Sequence, residues 1–260
     1  MGVLVINADD WGIDRSTTDR THECIRCGTV SSVSAMVFME DSERAAALAR
    51  EHEIDAGLHL NLSAPFTAPA AGQPLADHQE RVIRHLRRHR FAQVLPHPGL
   101  AKSFDYVVKA QLDEFARLFG RGPERIDGHH HMHLCANVVF GELLPRGTVV
   151  RRNFSFQAGE KGFVNRFYRG LIDGRLGQRH QLLDYFFNLS PIAPPERLQR
   201  IFALAREATV EVETHPVLAE EHRFLTSGEV VRRLGDVRIA KRFAASRGEP
   251  GRWREAPQGA

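Results

Sequence analysis

The order of apolar and polar stretches along the chain is the feature that most restricts its fold. Short apolar runs rich in β-branched residues alternate with longer stretches that carry helical periodicity and helix-capping residues. The predicted strands are residues 3–8, 29–38, 55–62, a short strand in "ERIDGHHH", 148–154, 182–187 and 209–215. The predicted helices are residues 16–27, 41–52, 77–90, 103–119, 162–176, 195–207 and 227–234. This alternation predicts a mostly parallel sheet in a TIM-barrel-like (β/α) barrel, complete, distorted or incomplete, with a doubly wound open sheet as the alternative.

One α/β domain is expected to cover residues 1–246, followed by a disordered Gly-, Pro- and Arg-rich tail at 247–260. No apolar run approaches the roughly 20 residues that cross a membrane. The N-terminal segment opens with an apolar strand and lacks the features of a signal peptide, which favours a cytoplasmic location. The net charge of +3 comes without a nucleic-acid-binding motif, so no nucleic-acid partner is expected.

The three cysteines argue against a disulfide framework. Cys24 and Cys27 have CxxC spacing, but they fall within a predicted helix and no second CxxC pair follows. Partly buried thiols are therefore favoured over a zinc or redox site. The proline-rich stretch 63–76 is predicted to be a long surface loop, and long loops within a domain are often functional.

Ionisable residues are concentrated where the predicted strands end. Asp9 and Asp10 follow the first strand, His59 lies near the end of the third, and "DGHHHMH" at 127–133 follows the short fourth strand. Glu213 and His215 end a late strand in "EVETHP". Because the carboxyl ends of the strands of a barrel share one face, these side chains are expected to converge there.

Each segment alone has a simpler interpretation. The paired aspartates could cap a helix, His59 could be a hydrogen-bonded core histidine, and the histidine run could be a solvated loop. Their shared position at strand ends favours a metal site instead. A carboxylate with two imidazoles and open positions is a common catalytic metal sphere, and a remaining carboxylate such as Asp9 could act as a general base.

Four motifs, "NADDWG", "GLHLNLS", "IDGHHHMH" and "ETHP", occur in an order and spacing similar to those of the YdjC-like carbohydrate deacetylases. The resemblance extends over about residues 3–216. It implies a TIM-barrel-like fold and a metal-dependent enzyme that removes an acetyl group from an N-acetylated amino sugar. A homodimer is a further expectation from this family.

The resemblance also implies roles for individual residues. One divalent ion, Zn²⁺ or Mg²⁺ with Co²⁺ as a further candidate, would be bound by Asp10, His59 and His129. Asp9 matches the catalytic base, and His215 matches the general acid. Further residues are expected to contact substrate or to support the site: Trp11, Asp127, His131, His133 and either Arg151 or Arg152, whose guanidinium could orient Asp9.

Several alternatives stay open at this point. His129 and His133 could chelate a metal together if the run were helical, because residues four apart share a helix face. The chain could also be a metal-dependent phosphoesterase or amidohydrolase on a related barrel. A third reading is a non-enzymatic metal- or nucleic-acid-binding protein that uses the basic C-terminal third.

Overall fold

The computed structural model describes residues 2–88, 90–155 and 162–243. Seven strands form a single parallel sheet in the order β5-β4-β3-β2-β1-β7-β6. They are β1 (Val3–Trp11), β2 (Ser32–Ala35), β3 (Ala56–Leu60), β4 (Arg125–Gly128), β5 (Val149–Val150), β6 (Tyr185–Asn188) and β7 (Thr209–Thr214). The sheet curls into an incomplete barrel, which confirms the predicted TIM-barrel-like α/β fold. The predicted tail at 247–260 lies outside the described residues.

Helices surround the sheet and connect its strands. They are α1 (Arg15–Arg26), α2 (Ser42–Glu51), α3 (Gln73–Arg88), α4 (Ala101–Phe119), α5 (Ala136–Phe140), α6 (Phe163–Gly177), α7 (Pro195–Leu204), α8 (Ala219–Thr226) and α9 (Glu229–Leu234). Short 3₁₀ turns span Arg90–Gln93, Pro98–Leu100 and His129–Leu134. Within the described part of the chain, no helix is both long and apolar enough to cross a membrane.

Side chains alternate along β1 between two very different surroundings. Leu4, Ile6 and Ala8 belong to the main apolar core, whereas Asn7 and Asp9 are buried in a hydrogen-bonded polar cluster. Because successive side chains of a strand point to opposite faces, the apolar set packs under the helices and the polar set lines the barrel interior. The functional groups are therefore supported from inside the barrel.

A separate apolar cluster closes the barrel below the polar interior. It contains Val5, Val149, Leu183 and Phe243, all almost completely buried. The backbone near the last described residues reaches this end because Ala240 N–H donates to the Leu4 carbonyl at 2.7 Å. We call this cluster the barrel floor.

The two edge strands, β5 and β6, are connected through the residues that flank them. An isolated parallel bridge joins Val149 to Gln181, with Val150 N–H donating to the Gln181 carbonyl at 2.9 Å. Gln181 N–H in turn donates to the Thr148 carbonyl at 3.1 Å. These bonds bring the two ends of the sheet together, although β5 itself has only two residues and the predicted strand at 148–154 is mostly irregular.

Candidate metal centre and active site

A local irregularity in β1 brings two neighbouring carboxylates to the same site. The pairing register with β2 shifts between Ala8 and Trp11, and Asp10 adopts a left-handed backbone conformation with φ of 63°. In a regular strand, Asp9 and Asp10 would point to opposite faces of the sheet. Here Asp9 faces the barrel interior while Asp10 turns to the mouth, where it meets two histidines.

Asp10, His59 and His129 form a compact cluster of possible metal ligands. The Asp10 Oδ1 atom lies 2.9 Å from His129 Nδ1 and 3.3 Å from His59 Nε2. One ligand atom from each of the three residues lies within 4.8 Å of the other two. Burial opposes ionisation of Asp10, but hydrogen bonds from His129 and His59 hold its pKa well below the ordinary value. One carboxylate and two imidazoles at this spacing suit a divalent ion.

The buried imidazole of His59 is oriented by Asp127. His59 Nδ1 lies 2.7 Å from Asp127 Oδ1 and donates to it, while Nε2 faces Asp10 Oδ1 at 3.3 Å. Burial disfavours the charged ring, but Asp9, Asp10 and Asp127 together outweigh this and raise the pKa of His59 to about 10. A carboxylate that receives the second N–H of a histidine fixes both the tautomer and the ring direction needed for metal binding.

Asp127 is itself held rigidly. Its Oδ2 accepts from the Ser34 hydroxyl at 2.5 Å and from the guanidinium groups of Arg125 and Arg151 at 3.1 Å and 3.0 Å. Burial opposes its ionisation, yet Arg151, His59 and Arg125 keep the pKa of Asp127 below its ordinary value. The site therefore includes the ionised Asp127 carboxylate, held in place on the Nδ1 side of the His59 ring.

Arg151 is the centre of the buried polar network. Its guanidinium binds Asp9 through two bonds, NH1 to Oδ2 at 2.6 Å and NH2 to Oδ1 at 2.7 Å. It also contacts Glu211 at 2.8 Å and Glu213 at 3.2 Å. Asn7 donates a further bond to Asp9 at 2.8 Å. Burial opposes ionisation of Asp9, but Arg151 and His59 outweigh it and lower the pKa of that carboxyl.

The structure distinguishes the two arginines proposed to orient Asp9. Arg151 is buried and makes the bidentate contact. Arg152 points away from the interior, with NH1 donating to the Leu183 and Asp184 carbonyls and NH2 lying 3.2 Å from Asp173. The two side chains leave the chain just after β5 in different directions, and only Arg151 reaches Asp9.

The histidine run separates into different environments because its backbone is not helical throughout. His130 and His131 have left-handed φ values of 53° and 57°. The His130 ring packs on His129 with centroids 4.0 Å apart, and its Nδ1 lies 3.1 Å from the Ser63 hydroxyl. The His131 ring meets the Phe154 ring edge-on at 4.7 Å. Two consecutive left-handed non-glycine residues are strained, and such strain often accompanies functional sites.

His133 lies below the other histidines of the run. It is fully buried, and its Nε2–H donates to the Arg151 carbonyl at 2.9 Å. The structure therefore does not bring His133 to the ligand atoms of Asp10, and the helical pairing of His129 with His133 is wrong. Burial lowers the pKa of His133 to about 4, so the ring is neutral at physiological pH.

His215 directly follows β7, at the same edge of the barrel as the aspartates. The preceding residue, Thr214, pairs with Ala8 of β1. His215 therefore lies beside the point where the register shift of β1, between Ala8 and Trp11, begins. Its side chain is half-buried, and its backbone N–H donates to Glu221 at 2.6 Å. The site thus has a half-buried imidazole beside the strand that carries Asp9 and Asp10.

Two expectations from the sequence are corrected. Trp11 is fully buried in the main core, and its indole N–H donates to the Ala45 carbonyl at 3.0 Å, so it is not placed to contact substrate. Asp127 was expected to contact substrate or to support the site beside His129, and its hydrogen bond is to His59. In both cases the strand geometry, which sequence spacing does not reveal, decides which way the side chain points.

Sequence reasoning missed several supporting residues, namely Ser34, Ser63, Arg125 and Glu211. A signal for most of them was present. The strands carry polar residues two positions apart, as in Asn7 and Asp9 or Arg125 and Asp127, which is the period of one strand face. Such pairs within otherwise apolar strands indicate a polar barrel interior.

A groove of about 460 Å³ opens beside the cluster of possible ligands. It is lined by Ser63, Ala64, Pro65, Leu86, Arg87, Gln93, His130 and Met132. His130 is shared between this groove and the stacked pair with His129. The long loop predicted to be functional supplies one wall. A ligand in the groove would therefore lie next to the candidate metal centre.

These features define an α/β barrel protein with a candidate mononuclear metal centre at the carboxyl ends of its strands. Residues 3–244 match the sequence profile of the family described as YdjC-like protein. Because the match covers nearly the whole chain, the protein belongs to the YdjC-like family.

Similar proteins carry related descriptions. A carbohydrate deacetylase of Mus musculus is 35% identical over 144 residues, which are 54% of this chain and 46% of that protein. A chitooligosaccharide deacetylase of Enterobacter sp. is 33% identical over 133 residues, 51% of this chain and 50% of that protein. A carbohydrate deacetylase of Clostridium beijerinckii is 26% identical over 82% of this chain and 80% of its own length. The matched stretch thus spans about half the length of the first two relatives.

A solved structure supports the fold independently. It is a putative cellobiose-phosphate cleavage protein from Enterococcus faecalis, which superposes with a TM-score of 0.66 over 94% of this chain and 98% of that chain. The sequence identity is 17%, so this likeness concerns the fold alone.

Proposed function

We propose that the protein is a metal-dependent carbohydrate deacetylase that removes the acetyl group from an N-acetylated amino sugar. One observation carries this proposal: the cluster of Asp10, His59 and His129 lies next to Asp9, whose carboxylate is bound by Arg151. The descriptions of the relatives as carbohydrate and chitooligosaccharide deacetylases support the substrate class.

Asp10, His59 and His129 would hold one divalent ion, with Zn²⁺ or Mg²⁺ as the first candidates and Co²⁺ as a further one. When bound, the ion supplies Lewis-acid polarisation of the acetamide carbonyl. Asp127 holds the His59 Nδ1–H, so Nε2 is the nitrogen that would give up its proton to bind the ion. Ser34 and Arg125 in turn hold the Asp127 carboxylate in place through hydrogen bonds.

In the proposed reaction, Asp9 accepts a proton from the attacking water. Arg151 fixes the direction of the Asp9 carboxylate through two bonds and keeps it ionised. Water oxygen adds to the acetamide carbon, and the C–N bond then breaks. His215 delivers a proton to the departing nitrogen, because an amine leaves far more readily than an amide anion. Acetate and a free amino sugar are the products.

The groove would hold the part of the glycan beyond the acetylated sugar. Its walls combine apolar surface from Pro65, Leu86 and Met132 with polar groups from Ser63 and Gln93. Sugar rings have apolar faces and polar edges, and a mixed surface of this kind suits them.

The cytoplasmic location, the homodimer and the lack of a nucleic-acid partner expected from the sequence stay predictions, as do the domain bounds.

A two-metal phosphoesterase is less well supported. The second ligand group in the described residues comprises Asp9, His59 and Asp127, so it shares His59 with the first. The guanidinium of Arg151 already binds Asp9 and Asp127 at 2.6–3.0 Å. A second cation there would have to displace this arginine, since two positive charges would compete for the same oxygens.

The test is acetate release from N-acetylglucosamine oligomers by protein stripped with chelator and then resupplied with Zn²⁺, Mg²⁺ or Co²⁺. We expect no release without metal and restored release with one ion bound per chain. Mass spectrometry of the product should show the loss of one acetyl group. Absence of release from a panel of acetylated sugars with every metal would refute the proposal, and two ions per chain would favour a phosphoesterase.

A further inference from the structure

Glu221 belongs to none of the four sequence motifs and has no role in the proposed reaction, yet it makes several hydrogen bonds next to His215. It lies in the first turn of α8 and is only 1% exposed. Its carboxylate accepts three hydrogen bonds. The Ser190 hydroxyl donates to Oε1, while the Thr214 hydroxyl and the His215 backbone N–H each donate to Oε2 at 2.6 Å. One buried carboxylate thus ties α8 to the end of β7 and to the loop after β6.

These contacts restrict the backbone of His215 on both sides. Its N–H is bound by Glu221, and its carbonyl accepts from Leu218 N–H at 2.8 Å. Pro216 follows directly, and a residue before proline has a reduced choice of backbone conformations. With its peptide groups held in this way, His215 can vary the position of its imidazole only through side-chain rotation.

The bonds to Glu221 need an acceptor at this place. All three donors are neutral, and two of them share one carboxylate oxygen. An apolar side chain would leave the His215 N–H and two hydroxyls without this partner, which is costly for buried groups. A glutamate in the first turn of a helix also interacts favourably with the helix dipole. A purely structural role as a helix-capping group is therefore the alternative to be tested.

We infer that Glu221 is a positioning residue that holds His215 where it can protonate the leaving nitrogen. The inference rests on the proposed deacetylase function and adds a residue to it. Glu221 would not touch the substrate. It would act through the backbone of His215, so its loss should affect the step that uses the acid and leave substrate binding largely unchanged.

The central experiment compares Glu221→Leu with Glu221→Gln in the metal-loaded enzyme. A glutamine oxygen can keep the bonds from Thr214 and His215 while its amide donates to Ser190, so we expect kcat within about threefold of wild type. Leucine cannot accept, and we expect kcat to fall about 10- to 100-fold, within the range that a general acid contributes, with KM nearly unchanged. The exposed neighbour Glu220, changed to Leu, is the matched control and should keep full activity.

A double-mutant comparison separates positioning from general loss of structure. In the background of His215→Ala, adding Glu221→Leu should cost little further kcat, because the group it positions is already gone. An equal loss in both backgrounds would overturn the inference. If Glu221→Leu does not fold, Glu221→Asp, whose shorter side chain draws the carboxylate back, provides the same comparison.

A measurement without turnover distinguishes this inference from the proposed function. The His215 ring resonances, assigned by their loss in His215→Ala, should move in Glu221→Leu and stay in place in Glu220→Leu. If wild type releases no acetate but these resonances move, the deacetylase proposal fails while the contact to His215 stands. If acetate is released and neither kcat nor the resonances respond to Glu221→Leu, Glu221 does not position His215.

Discussion

At the scale of single residues, one backbone angle separates the roles of two identical side chains. Asp9 and Asp10 are neighbours, yet Asp9 is bound by an arginine inside the barrel and Asp10 meets two histidines at its mouth. The left-handed φ of Asp10 makes this division possible. Arg151 keeps the Asp9 carboxylate ionised and fixes its direction, so it can accept a proton, whereas a carboxylate facing imidazole nitrogens suits metal binding.

Changing Asp9 to Asn should therefore remove turnover without removing the metal. Asparagine cannot accept the proton from water, and we expect acetate release to fall at least about 100-fold. Metal affinity, measured by isothermal titration, should change little because the three proposed ligands remain. The exposed Asp19, changed to Asn, serves as the control. Normal activity in Asp9→Asn would show that another group is the base.

His133 should make the stability of the fold depend on pH. Burial lowers its pKa to about 4, while the unfolded chain has the ordinary value of 6.5. Between these values the unfolded chain binds a proton that the folded chain does not, so stability falls as pH falls from 6.5 to 4. This difference corresponds to about 3 kcal/mol.

Urea unfolding at pH 7.5 and pH 4.5, in the presence of chelator, would measure this effect. In His133→Gln the neutral amide can still donate to the Arg151 carbonyl but does not titrate. We expect wild type to lose more stability than the variant at the lower pH. Equal losses in the two proteins would mean that His133 does not carry the pH dependence.

At the scale of elements, the strands were predictable because their pattern is local. Apolar runs and strand-end polar residues located all seven strands and brought Asp9, Asp10, His59 and His129 to one face. The bulge in β1 and the left-handed turns at His130 and His131 were not predictable. They depend on tertiary contacts that override local preference, and they decide which imidazole faces Asp10.

The helices, too, were predictable only where their sequence pattern is local. The predicted helix at 227–234 corresponds to α9, but α8, which carries Glu221, was not predicted. This helix has only 8 residues and is held by packing against α1 and by its buried side chains. Short helices have little intrinsic stability, so their sequence signal is weak.

The close approach of β4 should leave room only for glycine at position 57 of β3. A Cβ atom at this position would lie 2.8 Å from both the carbonyl oxygen and the guanidinium carbon of Arg125. Gly57→Ala should force these groups apart and cost about 1–3 kcal/mol in the free energy of unfolding. Because Arg125 also binds Asp127, metal affinity should fall as well.

Denaturant unfolding and metal titration of Gly57→Ala would check both effects. Gly122→Ala is the matched control, since a Cβ there meets nothing within 4 Å. A Gly57→Ala protein as stable as this control would show that β4 can shift away without loss.

At the scale of the whole molecule, the barrel floor supports the polar interior. The Phe243 ring belongs to the floor cluster and lies 4.6 Å below the guanidinium carbon of Arg125. Arg125 binds Asp127, and Asp127 orients His59. Packing at one end of the barrel is thereby connected to the candidate metal centre at the other.

Replacing Phe243 by Ala should destabilise the protein by about 3–5 kcal/mol, the usual cost of removing a buried aromatic ring. Phe243→Leu fills much of the space and should cost less, although it cannot offer a ring to Arg125. Thermal and urea unfolding of both variants would measure the difference. Equal stability of Phe243→Ala and wild type would show that the floor does not contribute to folding.

The separation between the charged interior and the groove has a consequence for how such a protein could diversify. Asp9, Asp127 and Arg151 each have several partners, so a change at any of them disturbs the others. The groove walls, by contrast, come from the loop at Ser63, the end of α3 and the 3₁₀ turns that contain Gln93 and His130, and most of them take no part in the Arg151 network. Variation should therefore accumulate in the groove, so that related proteins could exchange one ligand for another while keeping the same interior site.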